Sequence, residues 1–308
     1  MLLFISSSTA FCENFQISYL SPRLGKQAKS ARNRDGFVAS LSRVFVGDHS
    51  ACTMKNSHHL RNLHVGVTLH LEEEETQHLK ARRIKENEVL EVFDGTGYVG
   101  KAIFLGYSKE YQRNAKILVQ SWTPVNAEEH VELTVGVGVP KGKRGDWLIE
   151  KLTEVGVDSV IPIRYERTNC ESSVVDHIRQ QRWRKICIAA CKQCCRNYLM
   201  KIENELSFRD VISKQQETKQ WDTVYVATLA APFRFAVPQI KPTRVLGIVG
   251  PEGGLTNEEE KMVYDLGAHL VKLNRYTLRC ETAATVLASL LRCNIPLNNI
   301  EDGVGLAG

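Results

Sequence analysis

Apolar and polar positions follow two alternating patterns in the second half of the chain. Residues 131–139 carry a valine or leucine at every second position, which is the period of a strand with one buried face. From 147 to 155 the apolar residues recur every three or four positions, which predicts an amphipathic helix that ends at Gly156. Strands that alternate with helices indicate an α/β domain with a mainly parallel sheet.

The same alternation continues toward the C-terminus. Further strands are predicted at residues 160–163, within 221–229, at 245–249 and at 269–273. Further helices are predicted at residues 182–199, 256–267 and 281–292. Thr256 and Glu259 have the spacing of a capping box, and Gly267 is a typical helix end.

Residues 43–125 carry a different pattern, of short strands separated by turns. The strands are predicted at residues 65–71, 89–93 and 116–119. Residues 94–97 (Asp-Gly-Thr-Gly) are a tight-turn signal, and a basic patch at 78–83 lies between the strands. Several short strands joined by turns are typical of a small β-barrel.

The start of the chain differs in composition from the rest. Residues 1–45 contain many serines, six lysines or arginines and only two acidic residues. Such a leader is typical of an organellar transit peptide, and a disordered basic tail is the alternative. Pro124, Glu128 and Glu129 mark a linker. The predicted organisation is a leader at 1–42, a barrel at 43–125, an α/β domain at 130–298 and a tail at 299–308.

Composition narrows the class of protein only a little. The net charge of +5 permits a nucleic-acid partner without requiring one. No apolar run approaches the length needed to span a bilayer. The nine cysteines are an odd number and lack the spacing of a secreted disulfide framework, which favours a reducing compartment.

The strongest candidate for chemistry is the loop at residues 250–254 (Gly-Pro-Glu-Gly-Gly), called the glycine loop below. It directly follows a predicted buried strand, where ligands bind in parallel α/β sheets, and its glycines allow close approach of backbone to a ligand. Glu252 would repel a phosphate, so a ligand with amine, hydroxyl or adenine-edge groups fits better. A ligand-free strand-to-helix turn is the alternative.

A second candidate motif lies where the chain enters the last predicted helix. Residues 278–283 (Leu-Arg-Cys-Glu-Thr-Ala) place Arg279, Glu281 and Thr282 beside helix-terminal amides. Ordinary helix capping by Glu281 or Thr282 is the alternative reading.

The two motifs, in this order, resemble the RsmE-type 16S ribosomal RNA (uracil-N3) methyltransferases. Other segments agree in order, at residues 77–79, 93–95, 140–144, 151–157, 161–163, 166–167 and 182–186. The resemblance covers roughly residues 65–293. The chain departs from the family at Ala189, Cys194, Cys195 and Asn274, where the family usually has Glu, Ser, Gly and Gly. These departures affect the expected RNA contacts more than the glycine loop.

The resemblance implies a fold, a reaction and partners. The fold would be a SPOUT-type domain whose chain forms a trefoil knot, preceded by a PUA-like barrel that helps to bind RNA. The reaction would be methylation of uridine N3 in small-subunit ribosomal RNA, with S-adenosylmethionine as the methyl donor. The partners would be that RNA or the assembled small subunit, and a second copy of the chain in a homodimer.

The resemblance also implies roles for individual residues. Cofactor binding is implied for Thr228, Gly250, Pro251, Glu252, Gly253, Gly254, Leu273, Tyr276, Leu278, Thr282 and Ala283. Arg279 would stabilise negative charge on the uracil oxygens, and Glu281 would accept a proton or orient Arg279. RNA binding is expected of Arg82, Arg83, Lys141, Lys143, Arg144, Gln193 and Arg196. No metal ligand is implied.

Two alternatives of a different class stay open. Cys187, Cys191 and Cys194 have the C-x3-C-x2-C spacing of radical S-adenosylmethionine enzymes that bind an iron–sulfur cluster. The same spacing places all three on one face of a helix, which favours small buried hydrophobic side chains over cluster ligation. The other alternative is a non-catalytic RNA-binding protein that keeps the fold.

The leader and the resemblance together predict a location. A small-subunit RNA methyltransferase of bacterial type needs a bacterial-type ribosome, so we expect import into a chloroplast or a mitochondrion, with the cytoplasm as the alternative. The serine-rich leader with dispersed charge favours the chloroplast. A fusion of residues 1–60 to a fluorescent protein should enter one of these organelles, and a diffuse cytosolic signal would contradict import.

Overall fold

The computed structural model describes residues 41–47, 63–108, 114–125, 131–167, 177–229, 231 and 243–294. The predicted tail and the leader up to residue 40 lie outside the described residues, so the domain boundaries stay predictions. The described residues from Leu41 onward belong to one compact unit. Among them, no helix combines the length and the apolar character that crossing a membrane requires.

Five strands form the first sheet. They are β1 (Ser42–Phe45), β2 (Thr68–His70), β3 (Val89–Phe93), β4 (Tyr98–Tyr107) and β5 (Ala115–Pro124). Their order is β1-β3-β4-β5-β2, with β1 parallel to β3 and the other pairs antiparallel. The predicted strand at 89–93 is confirmed, and so is its turn, in which the Asp94 carboxylate accepts hydrogen bonds from the backbone N–H groups of Thr96 and Tyr98.

Three elements of this region were not predicted, namely strand β1, strand β4 and a helix. The sequence of strand β4 does not alternate between apolar and polar residues. Apolar residues follow one another along the strand, and the only breaks in the apolar sequence are at Gly100–Lys101 and at Gly106. Helix α1 (Glu73–Ala81) buries only one apolar residue, Leu79, so its sequence shows little periodicity. The basic patch at 78–83 therefore forms the end of a helix and the turn after it.

Seven strands form the second sheet, and every pair in it is parallel. They are β6 (Glu132–Val137), β7 (Ser159–Arg164), β8 (Lys201–Ile202), β9 (Leu206–Ser207), β10 (Thr223–Ala227), β11 (Arg244–Val249) and β12 (His269–Val271). The order is β12-β10-β11-β6-β7-β8, and β9 also pairs with β7. The predicted parallel α/β sheet is confirmed.

Helices cover both faces of this sheet, as parallel sheets require. They are α2 (Lys143–Glu154), α3 (His177–Cys194), α4 (Phe208–Thr218), α5 (Asn257–Asp265) and α6 (Cys280–Asn294). One core contains Leu148 of α2, Trp183 of α3 and Leu287 of α6, and the other contains Phe208 of α4 and Val263 of α5.

Most of the predicted helices are confirmed with shifted ends. Thr256 and Glu259 form the predicted capping box at the start of α5. Helix α3 ends at Cys194 instead of residue 199, because Cys195 adopts a left-handed backbone with φ +60°. Helix α2 begins at Lys143, so Lys143 and Arg144 lie in its first turn and not in a loop. Helix α4 was missed although its sequence carries helix signals, since Ser207 and Asp210 form a capping box and Phe208, Val211 and Ile212 recur at helical spacing on its buried face.

The first sheet packs against the C-terminal end of α3 through buried charges. The Arg43 guanidinium donates to the carbonyl oxygens of Cys191 and Arg196, at 2.8 and 3.2 Å. The Lys192 ammonium lies 2.7 Å from the Glu75 carboxylate, whose side chain is 1% exposed. Cys191 belongs to the last turn of α3, whose carbonyls lack intrahelical partners, and Arg196 lies just after the helix, so the contact helps to cap α3 and joins it to β1.

Candidate functional site

Three loops begin side by side at the carboxyl edge of the second sheet. Ala227, the last residue of β10, pairs with Val249 of β11 and with Val271 of β12. The backbone N–H of Thr228 continues the pairing by donating to the Val271 carbonyl oxygen, at 3.0 Å. The loops after these strands carry Thr228, the glycine loop and residues 272–279, so the structure brings the predicted cofactor residues to one edge.

The glycine loop is a tight turn with an open side. The backbone N–H of Gly254 donates to the Pro251 carbonyl oxygen at 2.9 Å, and Gly254 has a positive φ of +71° that glycine adopts without strain. Among the described residues, no heavy atom lies within 4 Å of a Cβ placed on Gly254. A Cβ on Gly253 would instead lie 3.3 Å from the Arg167 Cβ. The loop is therefore exposed on the Gly254 side and packed against Arg167 on the Gly253 side.

The start of α6 supplies a buried carboxylate. Glu281 is 6% exposed, and its Oε2 atom has no hydrogen-bond partner among the described residues. Its neighbour Cys280 donates from the thiol to the Gly138 carbonyl oxygen at 3.1 Å, which fixes the start of the helix against the end of β6. A buried carboxylate oxygen without a donor is costly. The site therefore has an acceptor that a ligand donor would satisfy.

Arg144 connects the glycine loop with Glu281. Its Nη1 atom lies 2.8 Å from Oε1 of Glu252 and 3.9 Å from Oε1 of Glu281. The hydrogen bond to Glu252 and the charges of both carboxylates raise the pKa of Arg144 above its ordinary value. Arg144 thus contacts two acidic residues of the site, and its contact with RNA phosphate stays a prediction.

Of the other residues predicted to bind RNA, five are exposed and one, Arg196, is mostly buried. The exposed residues are Arg82, Arg83, Lys141, Lys143 and Gln193, and their role in RNA binding stays a prediction. Arg196 is different, because its side chain is only 13% exposed. Its guanidinium donates to the carbonyl oxygens of Thr153 and Val157 and pairs with Asp158 at 3.1 Å. The assignment of Arg196 to RNA is therefore wrong, and it is a structural residue that ties the end of α3 to the turn after α2.

The loop after β12 presents both buried and exposed side chains. Leu273 and Leu278 pack against the core, and Ala283 is 9% exposed inside α6. Tyr276 is 63% exposed, and the Arg275 guanidinium lies 4.6 Å from its ring centroid. Thr282 is half-buried in the first turn of α6, and Arg279 is exposed just before it. The apolar side chains anchor the loop to the core, and the polar side chains are accessible to a ligand.

Sequence patterns missed several residues that shape the site. The carbonyl of Gly138 holds Cys280, and Arg167 donates to the carbonyl oxygens of Gly253 and Leu255. The only signal for Arg167 was its place in a family-like segment, residues 166–167. Nothing local marks Gly138, because its contact partner lies 142 residues away.

The cysteine motif does not converge on one point. Cys187 and Cys191 are buried along the straight helix α3, and burial raises their pKa to about 11 and about 12. The Thr153 hydroxyl donates to Cys187 Sγ at 3.5 Å. Within the described ranges, no group of three or more His, Cys, Asp or Glu side chains is placed to hold a metal ion. The interpretation as small buried side chains is confirmed for Cys187 and Cys191, and the cluster alternative has no geometric support.

The fold and the site define an α/β protein whose parallel sheet carries a glycine-rich loop and a buried carboxylate at its carboxyl edge. The family model described as "RNA methyltransferase domain" matches residues 127–292, more than half of the chain. The chain belongs to this family of RNA methyltransferases.

Individual relatives agree with the family. The chain is 27% identical over 217 residues to ribosomal RNA small subunit methyltransferase E of Buchnera aphidicola subsp. Acyrthosiphon pisum, which covers 69% of this chain and 82% of that protein. It is 28% identical over 227 residues to the protein of the same name from Aquifex aeolicus, covering 73% and 94%. These relatives confirm the resemblance seen in the motifs.

A solved structure supports the fold. Ribosomal RNA small subunit methyltransferase E from Neisseria gonorrhoeae, crystallised with S-adenosyl methionine bound, superposes with a TM-score of 0.67 at 24% identity. The match covers 82% of this chain and 98% of that chain. At this identity the likeness establishes the shared architecture.

Burial predicts which cysteines react with an alkylating reagent. At about pH 8 we expect iodoacetamide to modify the exposed Cys195 and Cys293 in the folded protein and to leave Cys187 and Cys191 unmodified. Their raised pKa keeps both thiols protonated, and packing blocks access. Peptide mass spectrometry before and after unfolding measures each site. Rapid labelling of Cys187 or Cys191 in the native protein would contradict the structure.

Proposed function

We propose that this chain transfers a methyl group from S-adenosylmethionine to N3 of a uridine in small-subunit ribosomal RNA. The observation that carries the proposal is the convergence of the open glycine loop with the buried, incompletely bonded Glu281 at one sheet edge. The substrate is inferred from the relatives, which are named as small-subunit ribosomal RNA methyltransferases.

The residues at this edge fit the proposed cofactor. S-adenosylmethionine has no phosphate, so the acidic Glu252 does not oppose it, and its amine, hydroxyl and adenine groups can bond backbone and carboxylate acceptors. The loops after the three strands, with Thr228, Leu273 and Leu278, would hold it, and the open side of Gly254 leaves room. When bound, the cofactor supplies an electrophilic methyl group on a positively charged sulfur.

The proposed reaction needs an acceptor for a proton. Uridine N3 carries a hydrogen at neutral pH, and its lone pair becomes a good nucleophile only as that proton leaves. The free Oε2 of Glu281 is an acceptor inside a water-poor site, which is where proton transfer to a carboxylate is effective. Arg279, exposed beside it, would donate to a uracil oxygen and stabilise the charge that develops there.

Exposed basic side chains of two regions would position the RNA. Lys141 and Lys143 are exposed at the start of α2, next to Arg144 of the site, and Arg82 and Arg83 are exposed after α1. Lysine and arginine side chains of this kind contact phosphates and fix the orientation of the RNA without reading its sequence. We assign them this role.

The proposal includes the finer features that the family resemblance implies. These are a trefoil knot in the second domain, a PUA-like closure of the first sheet, a homodimer, and import into a chloroplast or mitochondrion. The knot rests on the family resemblance, and in the described part of the domain α6 returns from the edge strand β12 to pack on β11, where Gly247 lies directly under Leu287 and Leu291. A molar mass of a single chain in light scattering would contradict the dimer.

The function is tested by mapping N3-methyluridine in small-subunit ribosomal RNA. Cells that lack the chain should lose one such nucleotide, and the wild-type chain should restore it. Glu281→Gln should lower kcat by about 10²–10⁴-fold, because an amide cannot take the proton. The matched control Glu258→Gln alters a carboxylate that is 77% exposed on α5, and its kcat should equal that of the wild type.

Three outcomes would contradict parts of this proposal. An unchanged methylation pattern in cells without the chain would exclude the reaction. A chain that binds RNA but shows no heat of binding with S-adenosylmethionine would be a non-catalytic RNA-binding protein. A Glu281→Gln variant with wild-type kcat would remove Glu281 from proton transfer.

A further inference from the structure

We infer that residues 165–167 (Tyr-Glu-Arg), which directly follow β7, position the glycine loop for the cofactor, with Arg167 as the principal positioning residue. The inference rests on the proposed function, because it deepens the role of the same loop. It assigns a task to three residues that do not belong to the predicted site.

Arg167 fixes the second half of the loop through its backbone. Its Nη1 atom donates to the carbonyl oxygen of Gly253 at 3.2 Å and to that of Leu255 at 3.0 Å. A charged donor forms stronger hydrogen bonds than a neutral one. Because the two carbonyls belong to the peptide units before Gly254 and after Leu255, the contact sets the orientation of the backbone on both sides of these two residues.

Tyr165 fixes the point at which the loop leaves the strand. Its hydroxyl donates to the carbonyl oxygen of Val249, the last residue of β11, at 2.8 Å. The Tyr165 side chain is 1% exposed and stacks on Phe208 of α4, with ring centroids 5.2 Å apart. The hydroxyl is therefore held in place by the core and not by the loop that it contacts.

Glu166 connects the same segment to the helix after the loop. Its backbone N–H donates to Oε1 of Glu259 at 3.0 Å, and Oε2 of Glu259 accepts the backbone N–H of Thr256 at 2.9 Å. Glu259 is 6% exposed, and both oxygens are used, one for the capping box of α5 and one for the contact with β7. Residues 165–167 thus contact the start, the middle and the end of the segment from Val249 to Glu259.

These contacts pass over the end of a neighbouring strand. Strand β6 lies between β7 and β11 in the sheet. A Cβ on Gly138, just after β6, would lie 3.4 Å from the Tyr165 ring and 3.7 Å from the Pro251 Cα, which are ordinary contact distances. Tyr165 and the glycine loop therefore both lie against the end of β6.

The physical consequence is that the loop is ordered before a ligand arrives. Binding to a loop that already has its bound conformation does not have to offset the entropy of ordering it. Loss of Arg167 should therefore weaken cofactor binding and leave the chemical step nearly unchanged once the cofactor is saturating. An arginine that contacts RNA phosphate directly would instead raise the KM for RNA and leave cofactor affinity unchanged.

The test compares Arg167→Ala with two further variants in the full-length protein. In calorimetry with S-adenosylmethionine, Arg167→Ala should raise Kd about tenfold, since two hydrogen bonds from a charged donor are lost. The kcat at saturating cofactor should stay within about twofold. Arg167→Lys should restore part of the affinity, because an ammonium can donate to one of the carbonyls. The control Arg164→Ala removes a surface pair with Glu205, 3.1 Å long, and should leave Kd unchanged.

Hydrogen exchange of the ligand-free proteins separates this inference from the proposed function. Amides of residues 250–256 should exchange faster in Arg167→Ala than in the wild type or Arg164→Ala, whichever ligand the site binds. A wild-type chain that does not bind S-adenosylmethionine, with faster exchange in Arg167→Ala, would overturn the proposed function alone. Unchanged exchange together with unchanged Kd would overturn the positioning role.

Discussion

The site depends on three parallel strands that end at the same level. Ala227 of β10 pairs with Val249 of β11 and Val271 of β12, so the three following loops start next to one another. Burial on both faces maintains this register, since Val245 of β11 faces one core and Leu246 faces the other. A one-residue slip would exchange those faces and carry a loop away from its neighbours. The hydrophobic pattern that forms the sheet therefore also assembles the ligand site.

Polar contacts between residues far apart in sequence join the loops that the strand register brings together. Arg144 and Glu252 are 108 residues apart in sequence, yet their side chains are 2.8 Å apart. The same arginine lies near one oxygen of Glu281, and the other oxygen has no hydrogen-bond partner among the described residues. A carboxylate with this little exposure is kept in a protein where a compensating charge or donor is at hand. The segment after β6 is thus the structural centre of the site, although the ligand loops come much later in the chain.

The sequence predicted those elements whose formation depends on interactions between residues close together in the chain. The alternation at 131–139 and the capping box of Thr256 and Glu259 were confirmed because burial period and helix-end hydrogen bonding act over a few residues. Strand β4 and helix α1 were missed because tertiary packing stabilises segments whose own pattern is weak, whereas helix α4 was missed despite its capping box and apolar stripe. Arg196 was misassigned for a related reason: its charge is visible in the sequence, but the carbonyls and Asp158 that enclose it belong to another part of the chain.

The central claim is that the cofactor binds at the carboxyl edge of β10, β11 and β12. Ultraviolet cross-linking of isotope-labelled S-adenosylmethionine to the full-length protein, followed by peptide mapping, tests it directly. The account predicts that the label is recovered in peptides that contain residues 250–256 or 273–283. A label recovered in the peptide of helix α3 that contains Cys187 and Cys191, or in the first sheet, would contradict it.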